Sequence, residues 1–340
     1  MKNNLTTVFC CLIIIPRKEA FMKKALVFVL VALMAITSVF AGGANESSGA
    51  SGDVHRIGIL APAVTHGWSA GVAYYAEQRC QELADQGLIE YRAYTSNNAD
   101  EMTTQLDDLM VWGADAIVAF PQWTGMEVPI QNAINSGIVV VNFDIEIAAD
   151  GVYRVAGDNY NMGEEGARYI VDKIGTEGTV VILDVPSSGS VAELRKQGFL
   201  DVLGEIAPNM NILTYATQFT REAGLADMAD ILTANDHIDA VYSMDDETSI
   251  GAIQAITEAG RDDIKVITGG GGCQEYFNMM PEYENLWVES ALYSPDMVMD
   301  AVDMAVAILN GEEVEQVKII PTTIVDKTNY QDFLDPNSPY

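Results

Sequence analysis

"RIGILAPAVTHGWSAGVAYYA", residues 56–76, is the stretch from which the rest of the chain can be read. An apolar run over 57–60 stops at Pro62, crosses a small loop and reaches His66-Gly67-Trp68 where a helical pattern begins. A strand that feeds a helix in this way opens a β-α unit, and the unit recurs. Apolar runs rich in β-formers follow at 89–94, 116–120, 138–143, 179–185, 212–216, 240–244 and 264–268. Between them lie helical patterns such as "SAGVAYYAEQRCQELADQG", "DEMTTQLDDLMVWG" and "REAGLADMADILTAN". Short runs that are apolar throughout predict parallel strands covered on both faces, a doubly wound α/β fold. "GADAIVAF" (113–120) is echoed by "HIDAVYSM" (237–244), each an Asp-Ala pair opening a strand after a helix. The echo predicts two similar lobes, with a ligand cleft at the carboxyl ends of their strands.

Composition supports this reading and excludes others. A chain of 340 residues, 49% of them hydrophobic, can bury the cores of about two domains. Its 49 acidic residues against 18 basic ones give a net charge of -31, so a nucleic-acid or anionic-membrane partner is not expected. Lys23-Lys24, the apolar run 25–40 and the small residues Val39 and Ala41 predict a signal peptide cleaved after Ala41. The run falls short of the ~20 residues of a spanning helix. Residues before Met22 are expected to reflect an upstream start codon chosen in error, and 42–53, "GGANESSGASGD", a flexible tether without a lipidation Cys. Cys80 and Cys273 either pair or sit as buried thiols.

The loop at 62–68 is neither a phosphate cradle nor a metal site. G-x-x-x-x-G-K-[ST] and G-x-G-x-x-G are both missing from the sequence, and "TGGGGC" (268–273) fits neither spacing. Its plain reading is a tight turn that brings the backbone close to the cleft. The three histidines, His55, His66 and His237, have no metal-binding spacing, so neither cofactor nor metal is expected.

The segments "YTSNNADE" (94–101), "GADAIVAFPQW" (113–123), "GIVVVNFD" (137–144), "VAGDNYNMGEEGARYI" (155–170), "AELRKQGF" (192–199) and "DAVYSMDDETSIGAIQAITEAG" (239–260) stand in an order and spacing that resemble the periplasmic sugar-binding proteins of the ribose/galactose type. The resemblance runs from about Val54 to the C-terminal region. It implies the type 1 fold, in which two lobes are joined by a three-stranded hinge, and a monomeric receptor that closes on a small solute and delivers it to the permease of an ABC importer. A sensor or chemoreceptor is an alternative acceptor. By analogy the chain crosses between lobes near Gly157-Asp158, Tyr293-Ser294 and Pro321-Thr322, giving lobes 54–157 plus 294–321 and 158–293 plus 322–340.

The same resemblance implies ligand contacts. Trp68 stacks on the apolar face of a sugar ring, and Asp144 accepts hydrogen bonds from its hydroxyls. Phe120, Gln122 and Trp123 complete the first lobe's side. Asp245 stands where the family has Asn, while Asp246 and Glu247 are expected to cap the following helix. Phe219, Gly270 and Tyr293 fall at further family positions, and His66 either bonds the ligand or has only a structural role in its loop. Two arginines of the family pattern fall at Ile145 and Glu193, with Arg195 displaced by about half a turn. An acidic, aromatic cleft holding Asp144, Glu193 and Asp245 follows, and with it an alternative ligand that bears an amino group. The three carboxylates also leave open a glycosidase acid–base pair, although no nucleophile elbow accompanies them.

Overall fold

A computed structural model describes residues 54–63 and 67–340; the leader, the tether and His66 lie outside the described residues. Two six-stranded sheets organise the chain. The first contains β1 (His55–Pro62), β2 (Ile89–Ser96), β3 (Ala116–Ala119), β4 (Val139–Phe143), β5 (Tyr153–Gly157) and β11 (Val317–Ile320), all parallel, in the order β11-β5-β4-β3-β1-β2. The second contains β6 (Thr179–Asp184), β7 (Asn211–Ala216), β8 (Ala240–Ser243), β9 (Val266–Ile267), β10 (Trp287–Ala291) and β12 (Ile324–Asp326), in the order β12-β10-β9-β8-β6-β7, with β12 alone antiparallel.

Both faces of each sheet are covered, which is why the strands read as unbroken apolar runs. In β1, Ile57 and Ile59 pack on one side with α1 (Gly67–Asp85) and α9 (Val298–Leu309), while Leu60 joins the core beneath α2 (Ala99–Trp112) and α3 (Glu127–Asn135) on the other. Gly58 lets α2 approach on that second side: a Cβ there would lie 2.4 Å from Leu109 Cδ1. In β6, Val181 and Leu183 face α6 (Arg221–Ala234), α7 (Asp246–Glu258) and α8 (Gln274–Met279), whereas Val180 and Ile182 face α4 (Asn159–Ile174) and α5 (Ser190–Ile206).

The repeated Asp-Ala pairs have matching jobs. Asp115 Oδ2 accepts from the Arg56 amide at 2.7 Å, and Asp239 Oδ2 accepts from the Thr179 amide at 2.7 Å. Each carboxylate thus fixes the first residues of the strand that founds its sheet. The helices of the second lobe meet at backbone contact. A Cβ at Gly163 on α4 would lie 2.0 Å from the Arg195 carbonyl oxygen, and one at Gly198 on α5 would lie 2.1 Å from that of Tyr160. Gly224 and Gly251 make the equivalent approach between α6 and α7, at 2.2 and 2.1 Å.

The chain leaves the first sheet after β5 to enter α4, returns after β10 through a 3-10 turn (Pro295–Met297) into α9, and leaves again between β11 and β12. The fold is therefore two doubly wound α/β lobes joined by three chain segments. Four strands beyond the eight apolar runs, β5, β10, β11 and β12, adjoin these crossings. β10 carries Glu289, fully buried and without a hydrogen-bond partner for either carboxylate oxygen among the described residues; burial pushes its pKa well up. Cys80 and Cys273 are buried as free thiols.

Candidate ligand-binding site

The carboxyl ends of the two sheets face each other across a cavity of about 700 Å³. From the first lobe come Trp68 at the start of α1, Phe120, Gln122 and Trp123 after β3, and Asp144 after β4. From the second come Phe219 before α6, Asp245 before α7 and Gly270 after β9, and Tyr293 stands at the crossing after β10. Nine of the eleven residues expected at the cleft thus line one cavity.

Two remain. His66 lies outside the described residues, and Glu193 is exposed on α5 and does not line the cavity. Half a turn of helix accounts for the difference at Glu193, because Arg195 occupies the buried face instead, 6% exposed. The expectation of a cleft stripped of cations is therefore corrected: a guanidinium is present, and the trio Asp144, Glu193 and Asp245 does not assemble.

Asp144 has φ 66°, the only positive value at a non-glycine residue among the described residues. Asp tolerates this left-handed geometry better than most residues. The neighbouring strand holds it there. Its amide donates to the Val155 carbonyl at 2.9 Å, and its carbonyl accepts from Arg154 Nε at 3.0 Å and Nη2 at 2.8 Å. The carboxylate accepts from the Tyr293 hydroxyl through Oδ1. Burial raises the pKa of Asp144, while the Tyr293 bond and the charges of Arg195 and Arg154 oppose the rise.

From Tyr293 a buried chain of bonds continues into the second lobe. The Tyr293 hydroxyl accepts from Asn159 Nδ2 at 3.3 Å, Asn159 Oδ1 accepts from Arg195 Nε at 2.8 Å, and Arg195 Nη1 donates to the Met244 carbonyl at 2.7 Å. The guanidinium also lies 4.9 Å from the centre of the Tyr293 ring, a cation–π contact. Gly157 makes room for this ring, since a Cβ there would lie 2.3 Å from Tyr293 Cε2. Trp68 completes the joint by donating its indole N–H to the Tyr293 carbonyl at 2.7 Å. With that donor spent, the ring serves as an apolar plate, stacked on Phe143 at 6.1 Å and edge-on to Phe120 at 5.8 Å.

Asp245 rather than its neighbours caps α7. Its Oδ2 accepts from the amides of Glu247 at 3.1 Å and Thr248 at 3.2 Å. Oδ1 has no donor among the described residues, and burial raises the pKa to about 7. The expected capping roles of Asp246 and Glu247 are corrected accordingly. Asp246 Oδ2 accepts from the amides of Gly272 and Cys273 at 2.8 and 2.9 Å and from Ser290 Oγ at 3.0 Å, pinning the "TGGGGC" turn against the site. Glu247 pairs with Arg221.

Sequence reasoning missed Asn159 and Tyr340. Asn159 could have been found as the first residue after the predicted crossing, and its neighbour Asp158 caps α4 by accepting from the Asn161 amide at 2.9 Å. Tyr340 carried no local signal. It reaches the cavity wall from the far end of the numbered sequence.

Comparison with known proteins agrees with this architecture. A family model described as "Periplasmic binding protein domain" matches residues 57–313. The ribose import binding protein RbsB of Bacillus subtilis (strain 168) is 29% identical over 185 residues, 54% of this chain and 60% of that protein. The xylitol-binding protein of Mycolicibacterium smegmatis is 26% identical over 297 residues, 84% of this chain and 81% of that one. An ABC transporter solute-binding protein from Mycobacterium smegmatis, solved with bound glycerol, superposes with a TM-score of 0.74 at 25% identity, covering 84% of this chain and 98% of the other. With two parallel-sheet lobes around a shared cavity and a family match over most of its length, the chain belongs to the periplasmic binding protein family.

Proposed function

We propose that the protein is an exported receptor for a neutral polyhydroxy solute, a monosaccharide or sugar alcohol, which it encloses between lobes 54–157 plus 294–321 and 158–293 plus 322–340 and hands to the permease of an ABC importer. The observation that carries this reading is that Asp144 and Asp245 both line the cavity. The two carboxylates sit on opposite lobes of one aromatic-walled cavity, and Asp245 Oδ1 has no donor among the described residues. A carboxylate accepts hydroxyl donors, and aromatic faces pack on the C–H surface of a sugar or polyol. The names of the ribose- and xylitol-binding relatives point to the same solute class. Arg195 lines the cavity in place of Glu193, but Glu127, Glu146 and Glu247 keep the lining acidic, so an amino-bearing solute stands as the second reading. Export rests on the predicted signal peptide.

The test is a thermal-shift panel followed by calorimetry with D-ribose, D-allose, xylitol, glycerol and D-glucosamine. A neutral solute at about a hundred times its Kd adds ~2.7 kcal/mol of stability. Binding confined to the amino sugar, or turnover of aryl glycosides, would sink the proposal.

A further inference from the structure

The residue at the end of the numbered sequence is part of the cavity. Tyr340 is 7% exposed and lines the same space as Trp68 and Asp245. Two glycines admit its ring. A Cβ at Gly67, in the first turn of α1, would lie 2.8 Å from Tyr340 Cδ2, and one at Gly271, in the second lobe, would lie 2.7 Å from Tyr340 Oη. The ring is therefore wedged between the helix that founds the first lobe and the Gly-rich turn of the second. Contacts below 3 Å leave no room for a methyl group at Gly67 or Gly271 while the ring stays where it is.

What carries the ring there is anchored chiefly on the second lobe, with one further contact between Ser338 and Tyr75 on α1. Gln274, the first residue of α8, donates its amide to the Tyr340 carbonyl at 3.1 Å and its Nε2 to the Phe333 carbonyl at 3.2 Å, and its Oε1 accepts from the Asp335 amide at 2.7 Å. Ser338 Oγ donates to the same Tyr340 carbonyl at 3.1 Å. Residues 333–340 thus form a strap fastened chiefly to the second lobe, from which Ser338 and Tyr340 reach the first. This is a tie between lobes in addition to the three crossings.

We infer that Tyr340 is a specificity-determining wall of the solute cavity, a wedge between the lobes that closes one end of the cavity and limits the length of the solute enclosed. The inference rests on the receptor reading above for its ligand, and on the lobe contacts alone for the wedge. An aromatic ring held on both sides resists displacement, so a solute that extends toward it meets a fixed apolar surface.

Two measurements on Tyr340→Ala decide it. The first is calorimetry with D-ribose, xylitol, methyl β-D-ribofuranoside and maltose. The expected result is at least tenfold weaker binding of the parent solute, together with binding of a longer probe that the unaltered protein rejects. An unchanged affinity and size limit overturns the wall. The second needs no ligand: amide hydrogen exchange should rise both at 67–71 in the first lobe and at 271–274 in the second, because the wedge touches both. A rise confined to 271–274 overturns the wedge. Should Tyr340→Ala fail to fold, Tyr340→Leu keeps apolar burial and is read by the same two measurements. If no solute in the panel binds the unaltered protein, the receptor reading falls, while the exchange pattern still decides the wedge.

Discussion

Replacing Asp245 by Asn should make the protein more stable and a poorer binder. The carboxyl is buried, and its pKa stands at about 7 against an ordinary 3.8. A group whose pKa is raised on folding contributes stability that is present below the unfolded value and lost as pH rises through the folded one. At ~1.36 kcal/mol for each pK step, ionised Asp245 costs the fold roughly 4 kcal/mol at pH 8 and close to nothing at pH 4. Asn keeps an oxygen to accept from the Glu247 and Thr248 amides, so the α7 cap survives. It also puts a donor in the occluded place of Oδ1, which costs about 1–3 kcal/mol if that donor finds no acceptor. The net expectation is a gain of about 1–3 kcal/mol at pH 8 that vanishes or reverses near pH 4, read by urea titration at both pH values. Loss of a charge-assisted bond worth about 1.5–3 kcal/mol should meanwhile weaken solute binding roughly 10- to 150-fold at pH 8. A variant that is less stable at pH 8, or equally improved at both pH values, refutes the electrostatic argument; an unchanged Kd refutes the role of Oδ1.

Other expectations follow from the same geometry. Solute hydroxyls that donate to Asp245 favour its ionised form, so calorimetry should find binding tightening as pH rises from 6 to 8, with little pH dependence left in Asp245→Asn. Tyr293→Phe strands Asp144 Oδ1 and Asn159 Nδ2 in a buried setting and should cost about 2–4 kcal/mol in chemical denaturation. Gly198→Ala forces α4 and α5 apart at the Tyr160 carbonyl, costing about 1–3 kcal/mol or more, and should weaken solute binding by shifting Arg195 without touching the cavity. Glu289→Met exchanges an unpartnered buried acid for an apolar group of similar size and should raise the urea midpoint, equivalent to about 1–2 kcal/mol.

The layout of the lobes was readable because parallel strands covered on both faces leave continuous apolar runs, and because the repeated Asp-Ala pair marks the same strand in each lobe. The strands beside the crossings were harder to read. β5 contains Arg154, β10 the buried Glu289 and β11 the exposed Lys318, so each breaks the apolar pattern. At the site, residues at strand ends could be placed because the end of a strand fixes where its side chains emerge. The start of a helix does not, and there Glu193 and Arg195 exchanged places. Tyr340 was invisible because only the folded chain brings it beside Gly67 and Gly271.

The bonded series Asp144–Tyr293–Asn159–Arg195 passes through the joint between the lobes, so groups that line the cavity also brace that joint. If the lobes close on a solute as proposed, recognition and motion are inherited as one trait. On that reading, a mutation that retunes selectivity at either end of the series would also reset the resting angle of the jaws. For a sensor builder the coupling is useful: a dye placed near residue 293 would report occupancy directly, with no transmission path to engineer.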